Sequence, residues 1–505
     1  MRGWAGWPRP WSGARPNARQ AALAFGLGAL AGFGHAPLYL WALTLIGLTG
    51  LIHLVAAHRT VAGWLGLLGG AGYGAVVLSW IVEPFLIEPE TFGWMAPFAL
   101  IFMALGLGAF WGAAARLAAA LPSRNLALSF ALTLTLAEHL RGHILTGFPW
   151  GMPGHVWIST PIAQFGAYVG PLGLTLALLL AAAALSSLRL RPVLGAGIAV
   201  AIGWLMGVWI LSQPLPDGPG VTLRLVQPNA EQALKWDPDQ ARVFTDRLLD
   251  ASAAPAKTGA TPDLVIWPET ALPYLLNYNP ELPPIIAEAG QGAPVALGVQ
   301  REEAGRYWNS LAVIDPSGTV TQTYDKHHLV PFGEYMPLGD LAYSVFGISA
   351  FAAQHGGGYT AGQGPQLLDF GPVIGRALPL ICYEAVFPQD VNAAPERPDW
   401  LLHITNDAWF GTLSGPFQHA DQARMRAIEQ GLPMVRVANT GVTAVYDARG
   451  RELASLPFGT QGHLDAALPG ALPATWFWRF GNWPTFVLLA GLALMVFRRH
   501  GTMKT

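Results

Sequence analysis

Leu380-Ile-Cys-Tyr-Glu384 closes an apolar, strand-like run over 374–382 and carries the only cysteine among 505 residues. Two other segments are built the same way: Ile266-Trp-Pro-Glu-Thr270, after a run at 264–267, and Lys326-His-His-Leu-Val-Pro-Phe-Gly-Glu334. Each sets a polar residue at or just past the end of a strand-like run. In layered α/β folds the ends of adjacent strands are where side chains from distant parts of a sequence converge. Further strand-like runs lie at 221–226, 295–299, 310–314, 401–405 and 435–445, several of them β-branched and bounded by Pro, Gly or Asn. Helices fit at 238–251 and 415–431, the second opening with Ser414-Gly-Pro and ending at Gly431. This alternation predicts an α/β layered domain.

Outside that region the chain changes character. It is 52% hydrophobic and 12% charged overall, more apolar than a soluble protein of this length requires. The charge is concentrated in 213–470, whereas 20–212 and 484–497 hold few ionisable groups. With roughly 20 apolar residues needed to cross a bilayer, spans are expected at 20–34, 38–57, 61–82, 93–118, 125–141, 162–187, 193–212 and 484–498. The fifth carries Glu138 and His139, and an ionisable residue at membrane depth usually faces the bundle or a water-filled cavity. The N-terminal Arg2, Arg9, Arg15 and Arg19 precede an apolar stretch as in a signal peptide, but no small-residue cleavage site follows, so a retained anchor is expected.

Basic flanks are retained in the cytoplasm. With eight spans, the N-terminal arginines, Arg59, Arg124, Arg189, Arg191, Arg498 and Arg499 share one side. Glu83, Glu88 and Glu90 lie opposite, together with Arg141 and His143. Both termini are then cytoplasmic, and 213–475 faces the other side, the periplasm of a diderm cell. The expected division is a membrane domain of seven helices at 1–212, an extracytoplasmic catalytic domain at 213–475, and a C-terminal span with a cytoplasmic tail at 476–505. A net charge of −2 without a basic run gives no footing for nucleic acid. A single cysteine excludes an internal disulfide and zinc sites built on several thiolates.

A thiol needs a base or a positive neighbour to become a thiolate near neutral pH. A carboxylate and a lysine supply both: Glu269 to take the thiol proton and return it to the leaving group, and Lys326, kept cationic by a carboxylate such as Glu334, to stabilise an oxyanion. Taken alone, Cys382 would be a small buried hydrophobe; its company points to a nucleophile. Adjacent His327 and His328 lack the i, i+4 spacing of a helical metal site, and no metal or other cofactor is expected. Glu384, two positions past the thiol, shares its face if the chain stays extended there, and either supports the site or pairs with Arg436.

The ordered set W-P-E, K-x-x-L-V-P-F-G-E and C-Y-E resembles the Glu-Lys-Cys signature of the nitrilase superfamily. With several spans before the domain and one after it, nearly the whole chain resembles the apolipoprotein N-acyltransferase family. The resemblance implies an αββα sandwich on a membrane-helix bundle, with Glu269 as general base, Lys326 on the oxyanion side, Cys382 as nucleophile and Glu334 as supporting glutamate. It implies acyl transfer from a phospholipid such as phosphatidylethanolamine to the N-terminal amine of a diacylglyceryl-cysteine apolipoprotein, through a thioester on Cys382, by a protein expected to work as a monomer.

Other matching segments are Gln227-Pro-Asn, Lys235-Trp236, Trp308-Asn309-Ser310, Asn406-Asp-Ala-Trp-Phe-Gly411, Arg436, Asn439-Thr-Gly441 and Gly147-Phe-Pro-Trp150. Trp236 and Trp409 are candidates for contact with acyl chains or for positioning a lid, and Asn309 and Tyr383 for orienting the site. The segment 343–359, with three consecutive glycines, fits a flap. Two other functions use the same features: a membrane-anchored nitrilase-type amidase, and a receptor or transporter with a binding ectodomain. Eight spans exceed the anchor the first needs, and the spans show little of the paired charge or broken helices a transporter uses.

Overall fold

The computed structural model describes residues 14–256, 261–337 and 358–497. The expected flap at 343–359 lies outside them except for its last two positions, as do Arg2, Arg9, Arg498 and Arg499. The chain divides into two compact units, one of Pro214–Thr475 and one combining Met1–Gln213 with Trp476–Thr505.

In the second of these, apolar helices run over Ala18–Gly32, Trp41–Ala57, Ala62–Val77, Ala96–Ala120, Leu126–Arg141, Gly166–Ser186, Leu190–Ser212 and Trp483–Phe497. Among the described residues, four helical segments are long and apolar enough to cross a membrane: Arg59–Val77, Pro89–Ala120, Pro161–Ser186 and Leu190–Ser212. Trp41–Ala57 and Trp483–Val496 are shorter apolar helices. At about 1.5 Å per residue, helices this short fall below a hydrocarbon core of about 30 Å. The helix expected to run to 82 ends at Val77, and a 3-10 segment, Ser79–Leu86 with Pro84 inside, follows. Proline removes a helical donor there.

Without a hydrophobic drive between helices in lipid, small residues let backbones meet. Helix Ala18–Gly32 approaches Ala62–Val77 so closely that a Cβ on Gly28 would lie 1.8 Å from the Gly69 carbonyl oxygen, and one on Gly72 would lie 2.0 Å from that of Phe25. Glu138 is fully buried, taking Trp111 Nε1 at 2.7 Å and Arg141 at 2.5 Å. Arg141 also donates to the carbonyls of Phe148 and Trp150. The charge inside the fifth apolar helix is therefore neutralised within the bundle, and its partner pins the Gly147-Phe-Pro-Trp150 turn.

The other unit holds two six-stranded sheets. The first has the order β12-β1-β2-β3-β4-β5, from Gly462–Ala467, Thr222–Gln227, Leu264–Ile266, Val295–Glu303, Arg306–Ile314 and Val320–Asp325. The second runs β11-β10-β9-β8-β7-β6, from Glu452–Leu456, Thr443–Tyr446, Met434–Ala438, Trp400–Thr405, Arg376–Ile381 and Leu368–Asp369. β1, β2 and β3 pair in parallel, as do β7, β8 and β9. Side chains alternate along a strand, and here both faces are apolar. Leu223, Leu225, Ile266, Ile381, Leu402 and Ile404 fill the space between the sheets. Val226, Val265 and Leu297 turn outward to Leu248 and Ile286 of helices Pro238–Ala253 and Leu282–Ala289. Leu378, Leu380 and Leu401 turn outward to Ala423 and Ala427 of helix Gly415–Gln430. The result is a four-layer αββα sandwich.

The run read as one strand at 435–445 is two antiparallel strands, β9 and β10. Asn439-Thr-Gly441 reverses the chain between them, and the Asn439 side chain bonds Ala230 and Asn406. The run read as 374–382 begins as strand only at Arg376 and stops before the cysteine.

Candidate active site

The parallel strands β2, β7 and β8 all end at one edge of the sandwich, and each delivers a polar residue just past its last pair. Beyond β2, Trp267 is anchored by Nε1 to Ser252 Oγ at 2.8 Å, and Glu269 follows. The backbone there lies so close to β3 that a Cβ on Gly298 would sit 2.5 Å from Glu269 Cα. β7 delivers Cys382, β8 delivers Asn406 and Asp407, and the end of antiparallel β5 delivers Lys326, whose amide donates to Asn309 O at 2.9 Å.

These groups form one buried cluster. Lys326 Nζ lies 2.8 Å from Glu334 Oε2 and 3.6 Å from Glu269 Oε1. Asn309 Nδ2 bridges the two carboxylates, donating to Glu269 Oε1 at 2.7 Å and Glu334 Oε1 at 3.0 Å. The other Glu269 oxygen accepts the Asn406 amide across the two sheets at 2.8 Å. Glu334 Oε2 also accepts the Val330 amide, which closes the 330–334 turn. Burial opposes the charge on Lys326, but Glu334 first and then Glu269 and Cys382 outweigh it and push its pKa up. The Cys382 thiol is pushed well up by burial and then by Glu269, against the pull of Lys326 and the Thr405 hydroxyl. Cys382, Glu269 and Lys326 thus lie within electrostatic reach of one another in the buried cluster.

Cys382 has φ of 50°, a left-handed value that costs a non-glycine residue about 1–3 kcal/mol. The chain turns sharply from strand into the 3-10 segment Cys382–Val386, so the extended geometry assumed for Glu384 does not form. Nor does it pair with Arg436, which goes to Asp407 instead. Glu384 is fully buried and accepts from the amides of Ile381 at 2.7 Å and His327 at 2.8 Å, and from Tyr324 at 2.8 Å. It ties the cysteine turn to the segment that follows Lys326.

His327 Nδ1 lies 2.7 Å from Glu384, and His328 Nδ1 lies 2.6 Å from Asp390. Burial would lower the His327 pKa, but its bonds to Asp390 and Glu384 push it up to about 10. A His raised in the folded state adds stability that is complete below its ordinary value of 6.5 and is lost as pH rises through about 10. The Tm of the purified protein is expected to fall between about pH 7 and pH 10. His327→Asn should start lower at neutral pH and lose that part of the slope. A variant curve running parallel to wild type would remove His327 as the cause.

Of the residues expected at the site, Glu269, Lys326, Glu334, Asn309 and Cys382 come together, with Glu384 bracing the turn. Tyr383 is buried against His328 and Phe387, with ring centroids 5.6 and 4.8 Å apart. Trp236 and Trp409 are half-buried, and among the described residues no hydrogen bond or ring contact links them to the cluster. Sequence reading assigned no role to Lys235, although it is buried with Nζ 3.5 Å from the Glu269 carbonyl. Its pKa is lowered to about 8 by burial, against the attraction of Glu269. Sequence reading quoted Asn406 and Asp407 within a matching segment without giving them a role, and found His403 and His419 unconvincing as metal ligands without giving them another.

A four-layer sandwich that gathers a buried thiol, carboxylate and lysine at its strand ends has the build of a carbon–nitrogen hydrolase with a cysteine nucleophile. The carbon-nitrogen hydrolase family model matches residues 222–476, and that of the apolipoprotein N-acyltransferase N-terminal domain matches 27–184. An apolipoprotein N-acyltransferase of Rhodopseudomonas palustris is 36% identical, with 95% of each chain covered. One of Caulobacter vibrioides is 38% identical over 96% of this chain and 94% of that one. Among solved structures, the CN-hydrolase superfamily protein XC1258 of Xanthomonas campestris covers 49% of this chain and 90% of its own, at 21% identity and a TM-score of 0.35. The chain belongs to the apolipoprotein N-acyltransferase family.

Proposed function

We propose that this acyltransferase N-acylates the N-terminal diacylglyceryl-cysteine of apolipoproteins, taking the acyl group from a phospholipid, phosphatidylethanolamine being the expected donor. The observation that carries the reading is the convergence of Cys382, Glu269 and Lys326 in one buried cluster of a chain that also holds long apolar helices. In the first half-reaction Glu269 takes the thiol proton as sulfur attacks the ester carbonyl. Lys326, held by Glu334, stabilises the oxyanion. The intermediate collapses, and the lysophospholipid oxygen leaves with the proton from Glu269. In the second half the acceptor amine attacks the thioester, Glu269 removes its proton, and the Cys382 thiol is restored. Asn309, Tyr383 and Glu384 hold these groups in place, and Trp236 and Trp409 contact the lipid chains. No cofactor takes part.

The same reading places the protein in the inner membrane as a monomer with eight spans. Residues 1–212 and 476–505 form the membrane parts, with both termini cytoplasmic, and the catalytic domain of 213–475 is periplasmic. The basic flanks support this orientation.

Intact-protein mass spectrometry of detergent-purified protein and its Cys382→Ala variant, incubated with phosphatidylethanolamine alone, tests the chemistry. A hydroxylamine-labile acyl adduct is expected on the wild type only, discharged by a diacylglyceryl peptide with a free amine. Discharge by water at the same rate with and without that peptide would favour an amidase-like hydrolase. Identical spectra for both proteins across several phospholipids would refute the acyl-enzyme.

A further inference from the structure

Behind the nucleophile lies a closed ring of buried polar groups that the chemistry above does not use. His403 of β8 and His419 of helix Gly415–Gln430 each set Nε2 at 3.1 Å from the carbonyl oxygen of Cys382. Both histidines, with Asp407 and Arg436, are fully buried. His403 Nδ1 lies 2.8 Å from an Arg436 guanidinium nitrogen, and His419 Nδ1 lies 2.8 Å from Asp407 Oδ1. The ring closes through the ion pair of Arg436 with Asp407 Oδ2. Thr405 Oγ1 donates to Asp407 Oδ1 at 3.0 Å, and Arg436 Nε donates to the Val442 carbonyl at 3.1 Å.

The inventory of donors and acceptors decides where the protons are. A guanidinium only donates, so His403 accepts at Nδ1 and carries its hydrogen on Nε2, aimed at Cys382 O. His419 also needs a hydrogen on Nε2, because a carbonyl only accepts. The ring thus meets the carbonyl of the cysteine's own peptide unit with its two imidazole N–H groups. That unit is planar, with C=O and N–H on opposite sides. Holding the carbonyl against the two rings turns the Tyr383 N–H away from them and sustains the left-handed backbone of Cys382.

We infer that His403 and His419 are positioning residues: a two-donor clamp on the Cys382 carbonyl that fixes the nucleophile's turn and aims the Tyr383 N–H away from the rings. This rests on Cys382 being the nucleophile of the proposed reaction.

Glutamine and asparagine at these positions separate the clamp from mere filling of space. The Gln amide nitrogen reaches the place of Nε2, whereas that of Asn reaches only the place of Nδ1. For the full-length protein in detergent, His419→Asn is expected to lower kcat about 10²-fold, with KM within about threefold, and to slow alkylation of Cys382 by iodoacetamide about tenfold. His419→Gln should recover most of both losses. If Asn preserves kcat and the alkylation rate, or if Gln is as impaired as Asn, the clamp is wrong, and His419 serves only to hold Asp407 or to fill space. Should a His419 variant fail to accumulate, His403→Gln against His403→Asn decides by the same order. Alkylation reads the lone thiol whether or not it is the nucleophile. Retained transfer activity in Cys382→Ala would therefore sink the nucleophile assignment, while the order of alkylation rates still judges the clamp.

Discussion

Glu269→Gln lowers the single-turnover rate of acyl-enzyme formation by about three orders of magnitude, within the 10²–10⁴ range of a lost general base. Glutamine matches the carboxylate in shape but not in hydrogen bonding. In the native site both Glu269 oxygens accept, one from Asn309 Nδ2 and one from the Asn406 amide. A carboxamide must turn its NH2 toward one of those donors, so the substitution removes the proton acceptor and also sets donor against donor in a dry cluster, at a cost of about 1–3 kcal/mol. Quenched-flow mass spectrometry of the adduct with phosphatidylethanolamine measures the rate. A variant within tenfold of wild type would show that another group takes the thiol proton. Lys235, with its pKa lowered to about 8 beneath the Glu269 carbonyl, would be the first to examine.

Lys326→Met has the second large effect, and it acts on both stability and rate. Lys326 is nearly completely buried and is the counter-ion placed between Glu269 and Glu334. Its loss leaves two carboxylates sharing the Asn309 amide, and breaking a buried ion pair from one side costs about 3–5 kcal/mol. One carboxyl is expected to take up a proton to relieve the repulsion. Removal of the oxyanion partner lowers kcat by a further 10²–10³, roughly the loss for one such donor. The double variant Lys326→Met/Glu334→Gln separates the two effects: it should regain part of the lost thermal stability, less the cost of turning a carboxamide NH2 toward Asn309 or Val330, and none of the activity. Recovery of activity along with stability would mean that Lys326 is only a structural counter-ion.

The residues of the cluster stand at the ends of apolar runs, and that much was legible from the chain. Strands buried on both faces read as continuous apolar segments, so the polar residue that ends each run stands out: Glu269 after Ile266, Cys382 after Ile381. The edge strands were not legible. β11 and β12 are only partly buried, and without a buried face their pattern does not separate from loop. Nor was the hairpin of β9 and β10, whose apolar residues continue on either side of Asn439-Thr-Gly441.

Local sequence determined the layered α/β class, the apolar helices, and which residues are proposed as thiol, base and cation, because hydrophobic periodicity and reactive side-chain types are properties of short segments. Tertiary structure alone decided how the charges pair. Arg436, His403, His419 and Asp407 come from β9, β8, a helix and the turn between, and meet behind Cys382 only once the second sheet is assembled. Glu384 was expected to share the thiol's face if the chain stayed extended, yet the left-handed turn at Cys382 sends it to Tyr324 and His327. Buried polar groups must find partners wherever the fold brings donors within about 3 Å, and which donors those are depends on contacts between segments far apart in the chain.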